Sequence, residues 1–130
     1  MSAAEVLKQL LGGMLADARR YALMQDLLDQ QLAAIAQQRG DTLLTLAQRI
    51  QALVDELDAE RRLRRLLVVR LLGREDNISI AALIERLPAG SARLVGNAWS
   101  ALERAITLAK GQNSRNCELI VEQHALMQRL

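Results

Sequence analysis

Residues 6–35 read VLKQLLGGMLADARRYALMQDLLDQQLAAI. Within them Leu7, Leu11, Met14, Ala18, Tyr21, Gln25, Leu28, Leu32 and Ile35 recur at alternating steps of four and three residues. That spacing brings side chains to one face of an α-helix, whereas a half-buried strand alternates at every second residue. Only Gln25 interrupts the apolar line over four heptads, so the stretch predicts a long helix with a coiled-coil-like seam. Gly12 and Gly13 each weaken a helix by about 1 kcal/mol relative to Ala, and a bend or a frayed first turn is expected there. Gly40 is read as the residue that ends this helix, with Asp41 or Thr42 capping the next.

The pattern continues outward from this stretch. Leu43, Leu46, Ile50, Leu53, Leu57, Glu60, Arg64, Leu67 and Leu71 repeat the spacing with two charged interruptions, and Gly73 closes the run. Two helices of about 30–38 residues, roughly 45–57 Å at 1.5 Å per residue, joined by so short a link must run antiparallel. Asn77 or Ser79 then caps a short helix that Pro88 stops, because its ring cannot continue a helical turn. Ser91 is read as the cap of a last long helix. Its stripe is Ala92, Val95, Trp99, Leu102, Ile106, Ala109, Asn113, Asn116, Ile120, Gln123, Met127 and Leu130. The expected fold is all-α: an elongated antiparallel helical hairpin, a short helix and a long C-terminal helix. Together these make a three-helix coiled-coil-like bundle in one domain over residues 1–130, with helices roughly at 3–39, 42–72, 79–87 and 91–129.

Composition agrees with helices and removes several function classes. The chain holds 26 leucines and 20 alanines but one Trp, one Tyr and no Phe. Closely approaching helices suit that composition, whereas β-sandwiches and barrels draw on aromatic and β-branched residues. Base-stacking nucleic-acid modules need aromatic platforms, which 2% aromatics cannot furnish. A net charge of +2 gives no general attraction to a polyanion. A single Cys cannot form an internal disulfide, and with no secretory signature and no apolar run of membrane-spanning length the expected compartment is the cytoplasm.

Catalysis finds no footing. Cys117 and His124 are seven residues apart, about 10 Å along one helix, beyond mutual reach. There is no carboxylate–x–x–His pair, no Walker sequence and no GxGxxG, so neither an enzyme nor a cofactor or metal site is expected. The sharpest charge feature is Arg61-Arg62-Leu63-Arg64-Arg65, with Arg70 and Arg74 beyond. Asp58 and Glu60 lie four residues before Arg62 and Arg64, which favours a solvated face of intrahelical ion pairs. The alternative is a nucleic-acid-binding regulator using the Arg61–Arg74 face. A helix-turn-helix built on Ile78–Leu87, the turn Pro88-Ala89-Gly90 and a following helix has the right proportions, yet that helix is far too long and offers only Arg93. The polar interruption Asn113, Ser114, Arg115 and Asn116 carries more. Amides at seam positions fix register or partner choice, and the apolar residues beyond them form a docking surface for another helix. Packing on the hairpin, or self-association as a structural coiled coil, is the competing reading.

Asn113-Ser114-Arg115-Asn116-Cys117-Glu118-Leu119-Ile120 resembles the N-x-x-N-G-x-L-I signature of the FlgN-like flagellar export chaperones. Ser79-Ile80-Ala81-Ala82-Leu83-Ile84-Glu85-Arg86-Leu87-Pro88 is similar to the short helix and Pro stop of that family, and the helix order matches along nearly the whole chain. Cys117 stands where the family usually has Gly, and the family's common tail with a docking Tyr has no counterpart before Leu130. The resemblance implies a cytoplasmic chaperone with no cofactor. Its partners would be the helical terminal segments of flagellar hook-associated proteins and the flagellar type III export apparatus. By position it carries the partner-binding role to Asn113, Asn116, Leu119 and Ile120; Val121, Leu126 and Met127 extend the apolar stripe. A homo-oligomer stays open, and neither nucleic acid nor membrane insertion is expected.

Overall fold

A computed structural model describes residues 1–129. Among them are four helices and no strand: α1 (Ala3–Ala36), α2 (Gly40–Leu72), α3 (Ile80–Arg86) and α4 (Ala89–Arg129). The all-α hairpin with a short helix and a long last helix is the architecture expected from the stripes. Leu130, the last residue of the expected α4 stripe, lies outside the described residues.

Helix ends follow local chemistry. The Ser2 hydroxyl accepts a hydrogen bond from the Glu5 amide at 3.2 Å and donates to the Glu5 carboxylate at 3.1 Å, an N-cap that opens α1. The expectation that α1 runs to Gly40 is corrected. It stops at Ala36, and the amides of Gln38 and Arg39 donate back to the Ile35 and Ala34 carbonyls at 3.1 and 3.0 Å. This is a Schellman ending with Gln38, not Gly40, in the left-handed position (φ 55°), so Gly40 opens α2. Gly73 ends α2 at φ 70°, as its lack of a Cβ favours. Ser79 caps α3 by accepting from the Ala82 amide at 2.9 Å. Pro88-Ala89-Gly90 is not a turn: Pro88 presents its carbonyl to Ala92 N–H at 2.8 Å, and α4 starts at Ala89, before Ser91. The helix-turn-helix reading falls with that turn.

Gly12 and Gly13 do not fray α1, which is continuous through them. Gly12 faces open space, but a Cβ on Gly13 would run into the Glu60 carboxylate of α2. The glycine therefore makes room for the acid that interrupts the α2 stripe.

The helices do not close into a symmetric triangle. Among the described residues α1 approaches both α2 and α4, α3 approaches α2 and α4, and no α-carbon of α2 lies within 8 Å of one in α4. α1 is the middle helix. Asp17 of α1 meets Arg64 of α2, while Leu28 and Ile35 meet Asn116 and Gln123 of α4. The last two pairs share a sequence offset of 88, so α4 runs parallel to α1.

That central position corrects the α1 stripe. The side chains removed from water are Val6, Leu10, Met14, Asp17, Met24, Leu27, Leu28, Ala34 and Ile35; Leu7 and Leu11 are only half-buried and Ala18 is exposed. A straight helix drifts about 20° per heptad, and a helix packed on two flanks buries neighbours of the strict seam as well. The α2 stripe fares better: Leu46, Leu53, Leu57, Arg64 and Leu67 are all buried.

Two apolar clusters fill the interior. One joins Val6, Leu10 and Met14 to Leu67, Val68, Leu83, Val95 and Leu102; the other joins Met24, Leu27 and Leu28 to Leu46, Leu53, Leu57 and Ala109. Asp17 and Arg64 lie between them in sequence on both helices of the hairpin.

Candidate partner-binding surface

The polar layer at Asp17 comes first, because it decides what the basic cluster is for. Asp17 is 1% exposed, and its two carboxylate oxygens accept from Arg64 Nη1 and Arg20 Nη1, each at 2.9 Å. Arg20 reaches on towards Glu56 at 3.6 Å, and the Arg64 guanidinium lies 5.5 Å from the centre of the Trp99 ring. Both atoms of the buried acid are thus satisfied, as a charge in the interior requires. Tyr21 is next to this layer. Burial first, and the Asp17 carboxylate second, hold its phenol above the usual value of 10.0 by disfavouring the phenolate.

The solvated, partly paired face expected of Arg61–Arg65 holds for Arg61, Arg62 and Arg65, which are exposed, and is corrected at Arg64. Arg64 turns inward to α1, and neither expected i,i+4 pair forms; Arg61 instead pairs with Asp58 at 3.3 Å. Arg70 donates to the Met1 carbonyl, and Arg74 donates to the carbonyls of Asp76 and Asn77. The arginines serve at least three different places, not one continuous basic face. Sequence reasoning missed Asp17 altogether. The available signal was an acid in register with Leu10, Met14, Met24 and Leu28, opposite an arginine inside the stripe of the antiparallel partner.

On α4, the expected stripe splits into two heptad lines. Val95, Leu102, Ala109 and Asn116 are buried and Gln123 is half-buried, all against α1. Asn116 is fully enclosed. Its Nδ2 donates to the Leu28 carbonyl at 2.8 Å and to Gln31 Oε1 at 2.9 Å, and its Oδ1 accepts from Arg115 Nε and Nη2, both at 3.2 Å. Gln123 Nε2 donates to the Ile35 carbonyl at 2.7 Å. Amides, not methyl groups, seat this half of the helix. Gln112 Oε1 is shielded nearby without a donor.

The second line is Trp99, Ile106, Asn113, Ile120 and Met127. Trp99 and Ile106 border the space between α4 and α2, and Asn113 borders a smaller hollow facing Ile50 and Val54. Asn116 and Gln123 dock the distal half on α1 as far as Ile35, one residue short of the end of that helix, and every residue from His124 to Arg129 is exposed. Beside that seat Ile120, Val121, Leu126 and Met127 are 38%, 67%, 58% and 63% exposed; at about 100° per residue Ile120, Met127 and Val121 share one flank of the Asn116–Gln123 line and Leu126 lies on the other. Leu119 is half-buried and Asn113 is exposed, with the Cys117 thiol 4.0 Å from Asn113 Oδ1. His124 pairs with Gln128 at 3.1 Å. Of the seven residues expected to bind a partner, Ile120, Val121, Leu126, Met127 and Asn113 thus reach solvent, Leu119 half does, and Asn116 bonds within the chain.

A bundle whose longest helix has one face seated by amides and one apolar face open is, by class, an all-α protein able to offer a helix surface. The sequence profile of the family described as FlgN protein matches residues 1–130, the whole chain. The chain belongs to the FlgN family, whose members are flagellar export chaperones. No curated protein and no solved structure matches the chain significantly. Among the described residues no helix is long and apolar enough to cross a membrane.

Proposed function

We propose that this protein holds the helical terminal segments of flagellar hook-associated proteins in the cytoplasm and passes them to the flagellar type III export apparatus. The observation that carries the reading is the uncovered apolar side of the distal half of α4. Four large hydrophobic side chains stand in water beside and beyond the seat that Asn116 and Gln123 make on α1. An amphipathic client helix laid along Ile120, Val121 and Met127, with Leu126 reaching it from the other flank, would remove that surface from water at about 25 cal/mol for each Å². Leu119 and Asn113 border the stripe and complete the contact. Asn116 positions it, because its amide fixes how α4 is rotated on α1. Methionine's unbranched chain adapts to differently shaped partners, which suits more than one client. The work is binding and release, without a cofactor or a chemical step.

The test is co-purification of a hook-associated protein with the double variant Ile120→Asp/Met127→Asp. Loss of client, with helical circular dichroism and the unfolding midpoint unchanged, is the expected result. Undiminished client capture would overturn the assignment of the surface.

A further inference from the structure

Because α2 and α4 both pack on α1 and no α-carbon of one lies within 8 Å of the other, a trough runs between them, spanned by Arg64 against Trp99. Its floor is α1, and α3, which touches both walls, closes one end. Three hollows line up along it. The largest, of about 580 Å³, lies beside Val68, Ile80, Trp99 and Ile106. A second, of about 340 Å³, shares Arg61, Arg64 and Ile106 with the first, and a third, of about 210 Å³, shares Tyr21, Leu57 and Lys110 with the second. From Ile50 to Val68 the α2 wall extends about 27 Å at 1.5 Å per residue, the length of an 18-residue helix.

The trough has a charged lip. Arg62 and Arg65 are exposed at the wide end on α2, without an ion-pair partner among the described residues, while Lys110 of α4 lines the two narrower hollows together with Asp58. Asp58, the acid beside them, is paired to Arg61, and Asp17 below is paired to Arg64 and Arg20. The interior offers apolar walls, so the unanswered charge is positive and at the rim.

We propose that this trough receives a single amphipathic helix of a partner polypeptide whose apolar stripe is flanked by Asp and Glu, completing a four-helix arrangement. The proposal deepens the chaperone reading and rests on it for the identity of the partner. It assigns the acid-flanked helix a seat between α2 and α4 in addition to the outer side of distal α4. Charge complementarity selects the occupant. A second copy of this chain, with a net charge of +2, would bring a like basic lip, and the aromatic content is too low for a stacked single strand.

Trp99, the single tryptophan of the sequence, stands in the wall and reports occupancy; it is about 31 Å along α4 from Ile120. The experiment titrates the full chain with a tryptophan-free synthetic peptide of about 18 residues, carrying a Leu/Ala stripe flanked by Glu. A second peptide has the same stripe flanked by Lys. The Glu peptide is expected to shift Trp99 emission saturably. Arg62→Glu/Arg65→Glu is expected to weaken it about tenfold at low salt, by less as salt rises, and to favour the Lys peptide instead. Equal binding of both peptides, or binding that ignores the double variant and leaves Trp99 emission unmoved, overturns the trough as the site. So does a dimer that forms through the trough, or an RNA oligonucleotide that displaces the Glu peptide. Failure of the wild-type chain to capture a hook-associated protein would defeat the chaperone reading without touching the peptide result, and the two failures are therefore separable.

Discussion

The proximal half of α4 is held by Val95, Leu102 and Ala109, side chains that need only to leave water, whereas the distal half is held by the amides of Asn116 and Gln123. The contrast teaches how one continuous helix can be core at one end and surface at the other. Hydrophobic burial is non-directional and roughly proportional to area, so the proximal half is held wherever Val95, Leu102 and Ala109 leave water, with Leu94 and Leu108 still exposed on its far side. An amide bond is directional and has a modest net value of about 1 kcal/mol. It fixes the rotation of α4 while covering little area, and Ile120, Val121, Leu126 and Met127 are left outside. A leucine at 116 would have drawn the helix inward without specifying that rotation.

The largest effect should come from the layer beneath the proximal half. Asp17→Ala strands Arg64 in the interior and is expected to cost about 3–5 kcal/mol, read as a lowered urea midpoint. Replacing the pair together, Asp17→Leu with Arg64→Met, should recover most of that loss. If the single variant were neutral, the layer would not be bearing a buried charge. Next, the two halves of α4 can be set against each other directly. Leu102→Ala should cost about 2–5 kcal/mol by opening a cavity. Asn116→Ala should cost about 1–3 kcal/mol, and should also raise hydrogen exchange throughout the helix beyond Gln112 while leaving the proximal amides protected. Equal exchange along the whole helix would erase the distinction between the halves. The smallest effect is at the junction, where Tyr21 sits. Its folded pKa is raised, so the folded state keeps the phenol proton more tightly than the unfolded chain does. That contribution is fully present below the ordinary value of 10.0 and is lost as pH climbs through the folded value. Being the only tyrosine, it gives a single phenolate absorbance step, which should fall back to the ordinary position on unfolding.

Much of this architecture was legible because the helices are long and periodic. The α2 stripe was readable almost residue by residue, since along most of its length that helix packs on α1, and only Val68 and Leu72, clustered with Ile80 and Leu83 of α3, are buried off the stripe. The α1 stripe was displaced towards Val6 and Leu10, because nothing in the spacing says that a helix will be covered on two sides. Asp17 went unnoticed for a related reason. A charge inside an apolar stripe gains meaning only when the facing helix is known, and Arg64 is 47 residues away. In the candidate surface, the periodicity correctly grouped Asn113, Asn116, Ile120 and Met127 on neighbouring lines but could not divide them. A fraction of a turn separates the line that seats on α1 from the line that faces the trough. The family signature pointed to the same segment, and only the bonds of Asn116 to Leu28 and Gln31 distinguish the anchor from the open face.

The constant offset of 88 residues between α1 and α4 also bears on how the chain assembles. The hairpin closes through a three-residue link and is local, whereas seating α4 requires the chain to come back across 88 positions, and each doubling of such a loop adds only about 0.6 kcal/mol of closure entropy. Contacts so far apart in sequence form late, and α4 leaves a ribosome after the whole of the hairpin. During synthesis the α1 face therefore stands open until α4 arrives, and the bundle finishes from α3 outward, with Gln123 as the final latch.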